Sequence, residues 1–546
     1  MKQLRRIVSV ILVFSLLGIH HVAPETKAAS IWDYEPLYKL AEQHGFSLGT
    51  VMNSERMSKS GFTNAVNRHF NSLAFSNAMK PYNMLSKSKC QQSPDGMPRL
   101  DFTEADKFMD YAKENGIKVR GHVLVWDNGL GSWFFREGYK DNGAYVSRSV
   151  MLKRLESYIK QVVQHFRSKY PGVLYCWDVV NEAVGDTPGT DCSSSDSCRI
   201  RTKRSGSDNL FYKIIGSDYV KKSFEYARKY SDPNMKLFYN DYSNIGVGKR
   251  NATVNLIKSI NSSQKLCDGV GMQCYQNIDF SIFKTYSNKS GSSLADAIHM
   301  YSDLGVEVHL TELTVKNTSA SGNTEHAKYY NEFIRTVIDC NINGANVTNV
   351  SIWGIVDVPD AATTDSYTYR ISGSHFGILD ENFKPKKAFE SIYQALNKRV
   401  LHERFEHSST SEAMMSLDSS CTLASLGSGA YSGSKALKVT ASNDYTGPDF
   451  TIKNNSSSSR TYTVSAWVKS YNTSAPVRIW ACVDSDGSQS YKQGGKTTTS
   501  SSWTFIQSSF TVDAGDTLSI RVTPQSGTAT SSSKVSYYVD NVCVKY

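Results

Sequence analysis

The stretch Val-Leu-Tyr-Cys-Trp-Asp-Val-Val-Asn-Glu-Ala, residues 173–183, carries the pattern on which the interpretation of the fold depends. It opens with β-branched and aromatic residues, as a buried strand does, and it ends on the polar pair Asn181-Glu182. Segments with helical periodicity precede it at residues 150–170 and follow it at residues 210–230. The stretch is therefore predicted to be one strand in a series of alternating strands and helices.

The same unit recurs along the first two thirds of the chain. Seven further strand candidates share this composition: residues 46–53, 70–77, 117–126, 236–242, 269–275, 306–313 and 350–357. Further helical segments are expected at residues 104–115, 294–304, 325–339 and 386–398. Eight strand-then-helix units predict an α/β fold, a (β/α)8 TIM barrel with loop insertions, over residues 30–400. An open doubly wound sheet is the alternative, but no Gly-rich phosphate-binding turn follows the first strand.

The composition changes after about residue 400. Residues 407–546 are rich in Ser, Thr and Gly and contain short segments in which apolar and polar residues alternate. In residues 462–469, for example, Tyr462 and Val464 fall on one face and Thr463 and Ser465 on the other. Alternation with a period of two indicates half-buried antiparallel strands. A C-terminal β-sandwich of the jelly-roll type is predicted over residues 401–546.

The N-terminus has the features of a signal peptide. A basic start with Lys2, Arg5 and Arg6 precedes an apolar run, and small residues follow at Ala28-Ala29. Residues 1–29 are therefore predicted to be removed and the protein to be secreted to the extracellular space. A membrane anchor is the alternative, but the run is shorter than the roughly 20 residues a spanning helix needs, and no membrane association is expected.

Export to an oxidising compartment permits disulfides, and the chain has 10 cysteines. We expect Cys192 and Cys198, which flank a Ser/Asp-rich stretch, to close a small surface loop, with two free thiols as the alternative. The net charge of +10 is modest for 546 residues. Lys and Arg are spread along the chain in runs of no more than two, such as Arg5-Arg6, so no nucleic-acid partner is expected.

The active site of such a barrel lies at the C-terminal ends of its strands. Two predicted strands end in carboxylates, Glu182 and Glu312, and two others carry Trp126 and Trp353. Glycosidic cleavage needs a carboxyl group that protonates the leaving oxygen and a second that attacks the sugar or activates water. Tryptophan faces stack on the apolar faces of sugars. Paired carboxylates among tryptophans therefore predict a glycoside hydrolase, although either Glu alone could be a structural carboxylate.

The strand ends resemble glycoside hydrolase family 10, the retaining endo-1,4-β-xylanases. The ordered matches, which span roughly residues 36–398, are Trp177-Asp-Val-Val-Asn-Glu-Ala183, Val308-His-Leu-Thr-Glu312-Leu, Leu237-Phe-Tyr-Asn-Asp-Tyr242, Asp268-Gly-Val-Gly-Met-Gln273, Val123-Leu-Val-Trp126 and Trp353-Gly-Ile-Val-Asp357. The resemblance implies that Glu182 is the general acid/base and Glu312 the nucleophile, through a covalent glycosyl-enzyme intermediate. It also implies that Asn181 binds the substrate 2-hydroxyl. The residues implied to line the sugar subsites are Asn77, Lys80, His122, Trp126, Gln273, Tyr275 and Trp353.

Several positions depart from that family's pattern. Ser76 stands where the family has Glu, and Asp127-Asn128-Gly129 stands where it has His-Ser-Gln. Tyr275 replaces a His that bonds the nucleophile, and Thr314 replaces the Asp that holds this His. A second Trp is absent near Ala361. We expect the Tyr275 phenol to donate to Glu312, and sugar recognition to be altered at the distal glycone side.

The C-terminal region resembles carbohydrate-binding modules of families 4 and 22, through Tyr431-Ser-Gly-Ser-Lys-Ala-Leu-Lys-Val439, Tyr462-Thr-Val-Ser-Ala-Trp467-Val-Lys469 and Tyr538-Val-Asp540-Asn-Val542. Trp467 and Trp480, with Arg478, would suit a sugar-stacking cleft, or alternatively cover a sheet edge. Glu406 and Asp540 lie at opposite ends of this region and are candidates to share a structural Ca²⁺.

The leading hypothesis is a secreted, monomeric, retaining xylanase with a module that holds it on plant cell-wall xylan, needing no cofactor for catalysis. The second hypothesis is the same chemistry on another β-linked plant polysaccharide, because of the altered distal subsites. The third is a non-catalytic carbohydrate-binding protein.

Overall fold

The computed structural model describes residues 30–284, 290–320, 323–357, 375–397, 399–403, 405–431, 434–454 and 458–546. The predicted signal peptide at residues 1–29 and the departure at Ala361 lie outside the described residues. Within the described parts of the chain, no helix combines the length and apolar composition that a bilayer crossing needs.

The N-terminal region contains eight parallel strands that close into a barrel, as predicted. Their order is β11-β1-β2-β3-β4-β7-β8-β10, and β10 pairs with β11 to complete the ring. The barrel strands and the short strands beside them are β1 Ser47–Met52, β2 Ser72–Phe75, β3 Lys118–Trp126, β4 Leu174–Asn181, β5 Lys203–Arg204, β6 Ser207–Asp208, β7 Lys236–Asp241, β8 Gly269–Met272, β9 Tyr275–Gln276, β10 Glu307–Val315 and β11 Val347–Ile352.

Helices connect the strands and cover the barrel. They are α1 Leu37–Glu42, α2 Ser54–Met57, α3 Ser60–His69, α4 Pro81–Met84, α5 Lys87–Gln91, α6 Thr103–Glu114, α7 Arg148–Lys169, α8 Leu210–Ile215, α9 Tyr219–Tyr230, α10 Val247–Ile260, α11 Leu294–Ser302, α12 Asn323–Ile342 and α13 Lys387–Leu396. The helix α7 begins at an N-cap, where the Ser147 hydroxyl accepts from the Val150 N–H at 3.4 Å. Its buried residues fall at helical spacing and pack on the sheet.

Close packing between strand and helix layers depends on one glycine in β3. Trp177 of β4 is fully buried and packs against Phe166 of α7, with ring centroids 5.8 Å apart. A Cβ at Gly121 would lie 2.4 Å from the Trp177 ring, so only glycine leaves room for the indole. The barrel interior is polar at one level, where Arg120 donates to Asp178 and His122 contacts the same carboxylate at 2.9 Å.

The C-terminal region is a sandwich of two antiparallel sheets, which confirms the predicted architecture. One sheet has the order β13-β14-β21-β16-β19, with β12 also paired to β21, and the other has the order β15-β20-β17-β18. The strands are β12 Arg399–Glu403, β13 Cys421–Ser425, β14 Lys435–Ala441, β15 Asp449–Lys453, β16 Arg460–Ser470, β17 Pro476–Ser485, β18 Ser488–Thr498, β19 Thr504–Val512, β20 Thr517–Pro524 and β21 Val535–Lys545. The predicted boundary at residues 400/401 falls within β12.

The sandwich is joined directly to the barrel. Only two residues separate the end of α13 at Leu396 from the start of β12 at Arg399. Arg460 of β16 forms a bidentate ion pair with Asp339 of α12, at 3.0 and 2.7 Å, and both side chains are largely buried. The two domains therefore share a polar contact that is shielded from solvent.

The expected Cys192–Cys198 bridge is not formed, because both cysteines carry thiols in the structure. Cys192 is buried beside Gly185, whereas Cys198 packs against the barrel core. Burial raises the pKa of both thiols. The two cysteines therefore serve here as apolar packing groups.

Candidate active site

The predicted carboxylates lie at the C-terminal mouth of the barrel. Glu182 follows the last residue of β4 and adopts a left-handed backbone conformation with φ of 57°. Its N–H donates to the Asn240 carbonyl of β7 at 2.8 Å, which holds this strained residue in place. Both Glu182 and Glu312 are buried, at 2% and 4% exposure.

Side chains from several described elements donate hydrogen bonds to the Glu182 carboxylate, among them Gln273, Trp126 and Arg204. Gln273, just beyond β8, donates to Oε1 at 3.0 Å, and the Trp126 indole donates to Oε2 at 3.1 Å. The third of these donors is Arg204, at 3.0 Å from Oε2. Such contacts orient the carboxylate and stabilise its ionised form.

Glu312 lies within β10 and is bound by two neutral donors. Asn240 donates from Nδ2 to Oε1 at 3.2 Å, and the Tyr275 hydroxyl donates to Oε2. The phenol therefore occupies the place that was expected for it. Thr314 donates instead to the Trp353 carbonyl at 2.8 Å, so it does not need to orient a histidine. Both donors are neutral, so neither of these contacts places a positive charge beside Glu312.

A chain of amide groups connects the two carboxylates. Gln273 Nε2 contacts Asn181 Oδ1 at 3.3 Å as well as Glu182, and Asn240 Nδ2 contacts the same Asn181 oxygen at 2.9 Å as well as Glu312. Thr311 donates to Asn240 Oδ1 at 2.7 Å and so fixes the orientation of that amide. Both acids therefore belong to one hydrogen-bonded wall of the barrel mouth.

The remaining predicted subsite residues gather beside this wall. Lys80 donates to Asn77 Oδ1 at 3.3 Å and lies over the Trp126 ring at 5.1 Å. His122 and Trp353 meet edge to face, with ring centroids 6.2 Å apart. Amide, ammonium and indole groups close to the two acids are suited to binding hydroxyls and apolar faces of sugars.

One of the departures from the family pattern, Gly129, has a structural reason in its close contact with Tyr82. Gly129 has φ of 79°, and a Cβ there would lie 2.9 Å from the Tyr82 ring. Tyr82 in turn donates to Asn77 Oδ1 at 2.7 Å. A tyrosine thus occupies space next to residue 129, and Ser76 is buried without extending a long polar side chain. At these two positions the side chains are shorter than those that the resemblance implies.

Several charged side chains close to the barrel mouth are buried. Asp241 is fully buried and pairs with Lys249 at 2.9 Å. Burial raises the pKa of Asp241, although Lys249 opposes the shift. Burial acts in the same direction on Asp178, but Arg120 and His122 outweigh it and the pKa of Asp178 is lowered.

Two contributors to the site were not among the residues predicted for it. Asn240 was visible in the sequence as the polar end of a predicted strand. Arg204, in contrast, lies in a hairpin inserted between β4 and α8, and its spacing from Glu182 carries no periodic signal.

The predicted sugar-binding residues of the sandwich do not form a single cleft. Trp467 belongs to β16 and Trp480 to β17, which lie in different sheets, and both point away from the shared core. Tyr431 stacks on Trp467 at 3.9 Å. Arg478 and Trp480 share the outer face of the other sheet with two exposed tyrosines, Tyr445 and Tyr491.

The candidate calcium ligands accept hydrogen bonds from the protein. Glu406 Oε1 accepts from the N–H groups of Ser434 and Lys435 at 2.9 and 2.6 Å. Asp540 accepts from the N–H groups of Tyr431 and Asn541 at 3.0 and 2.6 Å. In the described ranges, no cluster of three or more His, Cys, Asp or Glu side chains is arranged to hold a metal ion. Carboxylate oxygens of Glu406 and Asp540 are engaged by backbone N–H groups, and calcium binding stays a prediction.

Both regions of the chain are similar to known protein families. The family model "Glycosyl hydrolase family 10" matches residues 36–395, and the model "Carbohydrate binding domain" matches residues 415–532. An endo-1,4-beta-xylanase B from Butyrivibrio fibrisolvens is 33% identical over 325 residues, which are 58% of this chain and 47% of that protein. A putative endo-1,4-beta-xylanase from Caldicellulosiruptor saccharolyticus is 34% identical over 58% of this chain and 96% of that protein. This chain thus spans about half the length of the first relative and nearly all of the second.

Solved structures show the same likeness. The endo-1,4-beta-D-xylanase 10B modules of Clostridium thermocellum, crystallised with xylohexaose, align with a TM-score of 0.57 and 31% identity, over 66% of this chain and 67% of that one. A xylanase from Caldicellulosiruptor owensensis aligns with a TM-score of 0.53 and 29% identity, over 66% of this chain and 99% of that one.

Proposed function

The chain belongs to glycosyl hydrolase family 10, and we propose that it is a secreted endo-1,4-β-xylanase that retains the anomeric configuration. The observation that carries the proposal is the amide chain that joins Glu182 to Glu312 across Asn181 and Asn240. Retention requires two carboxyl groups close enough to act on one sugar from its two sides. Two acids on one hydrogen-bonded wall support that requirement.

In this mechanism Glu312 attacks the anomeric carbon while Glu182 protonates the leaving glycosidic oxygen. A covalent glycosyl-enzyme forms on Glu312, and Glu182, now ionised, takes a proton from the water that hydrolyses it. Asn181 would bind the sugar 2-hydroxyl, and Asn240 orients the nucleophile through its contact with Glu312. Burial of both acids strengthens these contacts by excluding bulk water.

The substrate proposal rests on the family and on the relatives named as xylanases. The sandwich would hold the enzyme on insoluble xylan and so raise its effective concentration there. One candidate surface is the outer face with Trp480, Arg478, Tyr445 and Tyr491, where both tyrosine rings are exposed, and the other is the face with Trp467, where Tyr431 is exposed. Secretion rests on residues 1–29, and the protein is proposed to act as a monomer in the extracellular medium.

Hydrolysis assays test the proposal directly. Reducing-sugar release from xylan, mixed-linkage glucan and carboxymethyl-cellulose identifies the polysaccharide, and NMR of the first-formed anomer identifies the stereochemistry. Glu312→Ala is expected to abolish release. A matched control is Glu307→Ala, on the same strand but at the opposite end of the barrel. Activity that survives in Glu312→Ala would refute the nucleophile assignment.

A second substrate is favoured by the distal departures at Ser76 and Gly129. If xylan is the substrate, release from xylan exceeds release from the two glucans. The reverse order would assign another β-linked glycan to the same catalytic groups. A protein that hydrolyses none of them but is retarded in an affinity gel would be a binding protein only.

The calcium proposal is tested by thermal unfolding. If Ca²⁺ binds Glu406 and Asp540, added Ca²⁺ raises the midpoint temperature of the sandwich and a chelator lowers it. A midpoint that is insensitive to both would contradict the site.

A further inference from the structure

The hairpin formed by β5 and β6 brings a cation to the acid/base carboxylate. Arg204 donates from Nη1 to Glu182 Oε2 at 3.0 Å and from Nη2 to the Glu182 backbone carbonyl at 3.2 Å. The same carboxylate oxygen accepts from the Trp126 indole. One guanidinium thus binds both the side chain and the backbone of the residue that must exchange a proton.

A second carboxylate fixes this guanidinium. Asp127 accepts from Arg204 Nε at 3.1 Å and from Nη2 at 2.7 Å, and its side chain is 3% exposed. Two parallel hydrogen bonds define the plane and position of a guanidinium. Asp127 stands where the family resemblance has a histidine, so the Asp127–Arg204 pair is a feature of this chain.

The loop that carries the hairpin is anchored at its base. Arg201 donates from Nε to the Glu182 carbonyl at 3.2 Å and from Nη2 to the Val184 carbonyl at 2.9 Å. Asn209 donates to the Arg201 carbonyl at 3.0 Å. These bonds hold the hairpin against the strand end, so Arg204 approaches Glu182 from a rigid support.

Other charges also act on Glu182. The groups facing it from the surrounding strands and loops are Asp127, Arg201, Arg204, Asp241 with its partner Lys249, Lys80 above Trp126, and Glu312 beyond the amide chain. The anions oppose ionisation of Glu182, and the Lys249 ammonium offsets Asp241. Arg204 favours ionisation of Glu182, and it does so by direct contact with the carboxylate.

We propose that Arg204, oriented by Asp127, is a positioning residue that stabilises the ionised form of Glu182 and thereby sets the pH range of catalysis. The inference rests on the proposed function and deepens it. In the first step, Glu182 gives its proton to the glycosidic oxygen as the C–O bond breaks and Glu312 bonds to the sugar. In the second, ionised Glu182 takes a proton from water as the water oxygen bonds to the sugar and the sugar–Glu312 bond breaks. The Arg204 contact stabilises the ionised Glu182 that the second step needs. It also lowers the pH at which Glu182 loses the proton that the first step needs, so the first step is confined to more acidic pH.

The test is the pH dependence of kcat/KM on an aryl xylobioside with a poor leaving group. Arg204→Gln is expected to move the alkaline limb up by about one pH unit, since an adjacent opposite charge typically shifts a carboxyl by that much or more. Arg204→Lys keeps the charge and is expected to restore most of the wild-type limb. Lys203→Gln, an exposed change in the same hairpin, is the control and is expected to leave the limb in place.

Leaving-group chemistry separates this role from a structural one. A dinitrophenyl leaving group departs without a proton, so Arg204→Gln is expected to shift no alkaline limb with that substrate. Should Arg204→Gln not fold, Arg204→Met, which removes the same charge and keeps the aliphatic stem, carries the test.

The outcomes are distinct. An active wild type whose limb is unmoved in Arg204→Gln, or a Lys203→Gln limb that moves equally, overturns the inference and leaves the proposed function intact. A wild type that hydrolyses no β-glycan refutes both.

Discussion

The bond from Tyr275 to Glu312 offers a quantitative test of the active-site chemistry. Tyr275→Phe removes the phenol donor and leaves Glu312 with the Asn240 contact at 3.2 Å. A hydrogen bond to a charged group contributes about 1.5–3 kcal/mol, which corresponds to roughly a 10- to 100-fold change in rate. The bond stabilises Glu312 as it leaves the sugar, so its loss is expected to slow hydrolysis of the glycosyl-enzyme more than its formation.

The assay is pre-steady-state hydrolysis of a dinitrophenyl xylobioside. We expect kcat to fall by the factor above, kcat/KM to fall less, and a burst of dinitrophenol with a covalent adduct in intact mass spectra. Tyr111→Phe is the matched control, because its hydroxyl donates to Asn67 at 2.7 Å on the barrel exterior. Equal losses of kcat and kcat/KM without a burst would refute the assigned role.

Three further predictions concern stability. Asp339→Ala leaves the buried Arg460 without its bidentate partner and is expected to cost about 3–5 kcal/mol, measured as a lower urea midpoint; an unchanged midpoint would contradict a tight domain junction. Gly121→Ala places a methyl group 2.4 Å from the Trp177 ring and is expected to cost about 1–3 kcal/mol, checked in the same assay, where no loss would mean that the two strands can separate. Burial lowers the pKa of His309 to about 4 in the folded protein, whereas the unfolded chain has the ordinary value of 6.5. Between these two pH values the unfolded chain binds a proton at this residue and the folded chain does not. The free energy of unfolding should therefore fall by at most about 3 kcal/mol between pH 7 and 4 on account of this group, and His309→Gln should reduce that slope.

The replacements around Glu312 and Glu182 share one consequence. At Glu312 a neutral phenol stands where the family resemblance has an imidazole, and Thr314 bonds a backbone carbonyl. At Glu182 the hairpin contributes Arg204, which is held by Asp127 just beyond the end of β3. Each acid thus has one partner that departs from the resemblance, Tyr275 at Glu312 and Arg204 at Glu182, whereas Trp126 and Gln273 belong to segments that match it.

The two tryptophans of the sandwich illustrate what alternation can predict. The pattern of apolar and polar residues correctly put Trp467 and Trp480 on the outer faces of their strands. It could not assign the strands to sheets, because β16 and β17 are consecutive in sequence yet lie on opposite sides of the core. A period of two reports which side of a strand is buried, and it carries no information about which strand is the neighbour.

Residues 173–183 and the seven similar stretches determined the barrel and the level of its active site, because buried parallel strands leave a local signature and their carboxyl ends must meet at one mouth. The tertiary structure alone decided that Arg204 contacts Glu182, that Asn240 links the acids, and that Cys192 and Cys198 remain thiols. These contacts join groups from different loops and strands, and the geometry that brings them together depends on how whole elements pack. Local sequence patterns record the burial of each element, whereas the meeting of distant side chains is a property of the assembled molecule.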